Sequence, residues 1–87
     1  MATVFIPTQL RHLTGGLDRV TARGASVGDL VDDLERQFPG FGRAVREKDE
    51  LHPSLAVSVD GEIVGGGLLE PVGAESEVHF VPALGGG

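Results

Sequence analysis

The residues of this chain best placed to do chemistry are its last ones. From Val78 the sequence runs Val-His-Phe-Val-Pro-Ala-Leu-Gly-Gly-Gly to Gly87, and no side chain after Glu77 carries a full charge. A folded domain has no packing use for an apolar strand that passes a proline and runs out into three glycines. Two readings remain: a frayed, ornamental tail, or a tail whose carboxylate is the working group. An α-carboxyl group has a pKa of about 3.3–3.7 and is ionised at neutral pH. A carboxylate is a poor electrophile, so chemistry there needs activation from outside. Five residues, Ala83 to Gly87, extend roughly 16–18 Å at about 3.3–3.6 Å each, and Gly85, Gly86 and Gly87 have no side chains to bar entry into a narrow channel. Ordering each tail residue costs about 1–2 kcal/mol of backbone entropy. A second, rigid contact surface must therefore support binding of the tail.

Other chemistries find little support. The absence of cysteine excludes disulfides, thiolate nucleophiles and cysteine-based metal sites, so any sulfur would have to come from another molecule. His12, His52 and His79 lie far apart in sequence, in no metal-binding spacing, and no metal site is expected. Gly65-Gly66-Gly67 lacks the lysine and hydroxyl of a phosphate loop and reads as a turn. No serine sits in a nucleophile elbow. Arg11 beside His12 either meets a partner or is solvated. Seven basic against thirteen acidic residues give a net charge of −6, the wrong sign for a nucleic-acid binder and better suited to a basic protein partner. The sequence shows no signal-peptide pattern and no apolar run of about 20 residues, so a cytoplasmic protein away from membranes is expected.

The elements that must position the tail follow from pattern. Eighty-seven residues, 40% of them apolar, make one small domain. Thr3-Val4-Phe5-Ile6, stopped by Pro7, predicts a first strand with Val4 and Ile6 inward. The loop from Pro7 to Gly16 leads to a second, antiparallel strand over Leu17 to Ala22. Ser26 caps a helix, answered by Asp29 three residues later, and Val27, Leu30, Val31, Leu34 and Phe38 form its apolar stripe. Asp29, Asp32, Asp33 and Glu35 on the other face read as a solvated helix surface. Pro39-Gly40 ends the helix. Phe41 to Leu51 is expected to form a short helical turn and an irregular loop, anchored by Phe41, Val45 and Leu51. Leu55, Val57 and Val59 alternate inward along a third strand, Asp60-Gly61 turns the chain into a short strand Glu62-Ile63-Val64, and Leu68-Leu69 is expected to pack back on the core. The last strand carries Val78 and Phe80 inward, with His79 and Val81 outward. The fold class is α+β, a mixed sheet of four to five strands packed on one main helix. The domain spans 1–82, followed by a flexible tail over 83–87.

Two stretches then resemble a known family. Ile6-Pro7-Thr8, Leu10-Arg11 and Thr14-Gly15-Gly16 look like the opening of the CysO-like branch of the MoaD/ThiS family of ubiquitin-like β-grasp sulfur carriers. Pro82-Ala83-Leu84-Gly85-Gly86-Gly87 looks like the family's ending of proline, two apolar residues, a small residue and a diglycine, with Gly85 in place of the usual alanine. The resemblance implies that Gly87 is adenylated by a separate ubiquitin-activating-like enzyme (MoeB/ThiF-like) using ATP and magnesium, then converted to a thiocarboxylate that a downstream acceptor enzyme consumes. The chain would be a protein co-substrate that binds no cofactor itself, not an enzyme. Leu84, Gly85 and Gly86 would thread the partner's site. The implied destination is cysteine or a specialised metabolite such as a thiosugar. The alternatives are a small subunit of molybdopterin synthase, a ubiquitin-like modifier and a non-covalent interaction domain. The rigid contact surface is expected on the sheet face opposite the helix, where alternation places Phe5, Ala56, Ser58 and Val81. Phe5 and Val81 there are either a partner-seeking apolar patch or scattered surface residues.

Overall fold

The computed structural model describes residues 1–83; Leu84, Gly85, Gly86 and Gly87, which carry the expected tail chemistry, lie outside them. Strand β1 (Ala2–Phe5) pairs antiparallel with β2 (Arg19–Ala22) and parallel with β7 (Glu77–Pro82). Strand β5 (Leu55–Val59) lies antiparallel to β7 and to β6 (Glu62–Val64). The sheet order is β2-β1-β7-β5-β6. The first and last strands of the chain are thus central neighbours, and the stretch leading to the tail is held on both sides.

Helix α1 (Val27–Gln37) forms because its ends are satisfied and its apolar residues share one stripe. The Asp29 amide donates to Ser26 Oγ at 3.2 Å, and the Ala25 amide to Asp29 Oδ2 at 3.2 Å, which satisfies two of the free amides around the helix N-terminus. Val27, Leu30, Val31 and Leu34 are fully buried against Val4, Ile6, Val57, Val78 and Phe80 from the sheet. Burying each such side chain contributes about 1.5–3 kcal/mol. Gly40, at φ 102°, makes the left-handed turn that ends the segment.

The structure corrects the expectation for Phe41 to Leu51. Helix α2 (Phe41–Val45) is followed by an ordered hairpin of β3 (Arg46–Glu47) and β4 (Glu50–Leu51). Its turn residues Lys48 and Asp49 have φ of 51° and 65°, a mirror-image turn without the usual glycine. Phe41 is completely buried and meets the Phe80 ring edge-on, with centroids 6.2 Å apart. A 3₁₀ segment, Thr8–Thr14, fills the expected loop after β1. Strand β2 begins at Arg19, leaving Leu17 exposed, and Leu69 is 88% exposed while only Leu68 packs toward the core.

The acidic face of α1 also departs from a merely solvated surface. Asp32 pairs with Arg46 at 2.6 Å. Asp33 accepts from the Arg23 amide at 3.0 Å and from Gln37, and pairs with Arg36. Glu35 accepts from the amides of Gly40 and Gly42, at 3.0 and 2.7 Å. These carboxylates hold α1 to its neighbours. The amide bonds keep both Asp33 and Glu35 ionised below the ordinary carboxylate range.

Candidate functional site

The register of the sheet fixes what its helix-free face presents. Phe5 stands opposite Arg19 on one side and His79 on the other; His79 faces Ser58, and Ser58 faces Ile63. Arg19, Phe5, His79, Ser58 and Ile63 therefore form one row across five strands, because directly opposed residues share a face. Toward the tail, Val81 stands opposite Ala56. All four residues expected on this face lie on it, but not equally accessibly. Phe5, Ala56 and Val81 are half-buried. Ser58 is only 8% exposed, so its small side chain lies beneath its neighbours and offers little surface, contrary to expectation.

The sequence reading turned His79 outward without joining it to the face, and it did not place Arg19 and Ile63 there. The alternation that turns Val81 outward also turns out His79, whose ring stacks on Phe5 with centroids 4.1 Å apart and planes within 1°. Ile63, on the edge strand, is 67% exposed. Its place depended on the pairing of a three-residue strand, which the sequence alone does not fix.

Where β1 and β7 end, the face sinks into a groove of about 450 Å³ lined by Phe5, Pro7, Arg11, His79, Val81 and Pro82, among others. Its position follows from sequence: Pro7 stops β1 and the 3₁₀ turn brings Arg11 back, so that Arg11 Nε donates to the Ile6 carbonyl at 3.0 Å. Pro82 closes β7 at the same end, and Ala83 N donates to the Ser54 carbonyl at 2.9 Å. The last described residue thus leaves the sheet beside this groove.

Among the described residues no three His, Asp or Glu side chains gather as a metal site, and no helix is long and apolar enough to cross a membrane. The site is a rigid, partly apolar face beside the root of the C-terminal segment, with no constellation of acid, base and nucleophile.

A mixed five-stranded sheet with one long helix across a single face, its first and last strands parallel at the centre, is the ubiquitin-like β-grasp. The chain belongs to the ThiS family, whose sequence model matches residues 4–87. It is 34% identical to the sulfur carrier protein CysO of Mycobacterium tuberculosis, over 98% of this chain and 97% of that one. A chain in the crystal structure of the BexX/CysO complex of Amycolatopsis orientalis superposes with a TM-score of 0.90 at 37% identity, covering 100% of both chains. Small archaeal modifier protein 1 of Haloferax volcanii follows with a TM-score of 0.72 at 29% identity, covering 99% of this chain and 98% of that one. The protein is thus a ubiquitin-like sulfur carrier, a carrier protein and not an enzyme.

Proposed function

We propose that this protein carries sulfur as a thiocarboxylate on Gly87. On a MoeB/ThiF-like activating enzyme, with magnesium, an oxygen of the Gly87 carboxylate attacks the α-phosphorus of ATP, forming an acyl-adenylate and releasing pyrophosphate. A sulfide equivalent then adds to the acyl carbon and expels AMP, leaving the thiocarboxylate. Adenylation supplies what a carboxylate lacks, a good leaving group. The rigid face around Phe5, Ala56 and Val81 docks the enzyme while Leu84, Gly85 and Gly86 thread its site. That division answers the entropy of the tail, because the folded face supplies affinity without being ordered on binding.

The observation that carries this reading is the end-to-end likeness to a sulfur carrier, with a family match that runs through Gly86 and Gly87. The likeness to CysO favours cysteine as the destination, through an enzyme acting on an activated serine, and a specialised sulfur metabolite is the neighbouring alternative. The 29% identical archaeal modifier supports a second reading, in which the same adenylate ends as an amide on a lysine.

Intact mass separates these readings. Incubation with the cognate activating enzyme, ATP and a sulfide source should shift the mass by the exchange of one oxygen for sulfur, localised to the Gly87 peptide. Amide conjugates to other proteins without that shift would favour the modifier. No shift with a demonstrably active enzyme would remove the carrier chemistry.

A further inference from the structure

The charge beside the root of the tail is balanced, unlike that of the whole molecule. Although the chain carries −6 overall, the groove into which Pro82 opens holds Arg11, with Asp18 as its one acidic side chain among the described residues. Neither ion pair among those residues involves Arg11 or Asp18. Arg19, opposite Phe5, adds a second guanidinium to the same face, and Glu77, opposite Thr3, adds a second carboxylate. At physiological salt exposed charges are screened over about 8 Å, so at contact the balanced groups of this face count for more than the acids on α1 across the sheet. Net charge acts at longer range, on encounter.

Arg11 is also fixed in advance. Its Nε is spent on the Ile6 carbonyl at 3.0 Å, and its two Nη groups make no hydrogen bond to any described residue. The side chain is half-buried, and Pro7 and the Thr14-Gly15 turn pin the segment that carries it. Thr14 Oγ1 lies 3.2 Å from the Arg11 carbonyl and 2.9 Å from the Leu17 carbonyl, and the Gly16 amide donates to the Arg11 carbonyl at 2.8 Å. A guanidinium held by one nitrogen, with its outer pair unspent, is a preorganised receptor for a carboxylate.

We infer that Arg11 receives an aspartate or glutamate side chain of the activating enzyme and so positions the tail root at the enzyme's channel. The inference rests on the proposed carrier reading and adds to it a residue and a partner chemistry. It reverses, for the contact itself, the expectation of a basic partner drawn from net charge. A second copy of this chain is a poorer occupant, because this face offers it as many guanidinium groups as carboxylates, Arg11 and Arg19 beside Asp18 and Glu77.

The test is steady-state adenylation by the enzyme that charges the wild-type carrier, with carrier concentration varied at low and high salt. Arg11→Ala should raise KM about ten- to a hundredfold, the span expected for a lost hydrogen-bonded charge pair, with kcat little changed and a weaker salt dependence. Arg11→Lys, which keeps the charge and loses the fork, should recover part of the loss. Reversing one acidic residue on the enzyme should restore binding of an Arg11→Glu carrier. An unchanged KM, or an equal and salt-independent loss in Arg11→Ala and Arg11→Lys with lowered thermal stability, would reduce Arg11 to a structural tie to Ile6 and overturn the inference. Failure of the wild type itself to be charged by a demonstrably active enzyme would instead sink the carrier reading beneath it.

Discussion

The rings of Phe5 and His79 lie face to face, 4.1 Å apart and within 1° of parallel. They join β1 to β7, the parallel pair through which the opening hairpin grips the strand that leads to the tail. The stack stands on the outer face, where an aromatic pair contributes about 0.5–1.5 kcal/mol beyond its area, and it gives that face a flat, rigid centre. A partner that lands there meets a surface already ordered.

The first prediction concerns this pair. Phe5→Ala should cost about 1–2 kcal/mol of stability, because Phe5 is half-buried and leaves no closed cavity. It should also raise KM in adenylation by about tenfold or more, the mark of a central aromatic anchor. His79→Phe, which keeps a flat ring over Phe5, should stay close to wild type in both. Thermal melts and adenylation kinetics check this; a KM unaltered in Phe5→Ala would place the docking surface elsewhere.

Glu35 makes the second prediction. Amides of Gly40 and Gly42 hold its folded pKa below the ordinary value, so its contribution is complete above about pH 4.3 and is lost as pH falls through the lowered folded value. Glu35→Gln should therefore melt below wild type at neutral pH, and the gap should close as pH falls through the lowered folded value. Parallel melting curves across that range measure it. A constant gap would show that the amide bonds, and not the ionised carboxylate, account for the difference.

The tip of the β3–β4 hairpin supplies the third. Lys48 and Asp49 both hold positive φ, at 51° and 65°, a conformation that L-residues other than Asn and Asp enter at a cost of roughly 1–2 kcal/mol. Lys48→Asn with Asp49→Gly fits the mirror-image turn. The double substitution should stabilise by about 0.5–1 kcal/mol, reduced by the greater freedom of glycine in the unfolded chain. For a chain of this size that is a rise of roughly 2–8 °C in Tm.

This hairpin also shows where the sequence stops being legible. Strand alternation, the Ser26 cap and Pro39-Gly40 stop named five strands and α1, because each rests on a local rule that burial reinforces. Arg46 to Leu51 obeys no such rule: its turn lacks the Asn-Gly signal, and its two-residue strands are too short to alternate. Tertiary packing specifies it, through buried Val45, half-buried Leu51 and the Asp32–Arg46 pair.

The face was legible in parity and not in depth. Phe5, Ala56, Ser58 and Val81 were placed on the right side, but the loss of Ser58 from the surface depends on the larger neighbours His79 and Ile63, which only the register supplies. Arg11 was visible as a residue but not as a site. Its meaning comes from the Ile6 carbonyl and from Pro82, brought to one groove from opposite ends of the chain.

The final prediction isolates the terminus from the fold. Residues Gly86 and Gly87 lie beyond the described structure, and the core residues that fix the sheet, from Val4 to Phe80, lie before them. Deleting both glycines should leave the melting temperature within about 2–4 °C of wild type, since changes away from the packed core usually stay within ±0.5 kcal/mol. Thiocarboxylate formation should be abolished, because the new terminus would fall short of the adenylation site by roughly 7 Å at about 3.3–3.6 Å per residue. The truncated chain should still compete with wild type for the activating enzyme through Phe5, Val81 and Arg11. Competition without charging would separate docking from chemistry, whereas charging of the truncated chain would show that the activated group is not the Gly87 carboxylate.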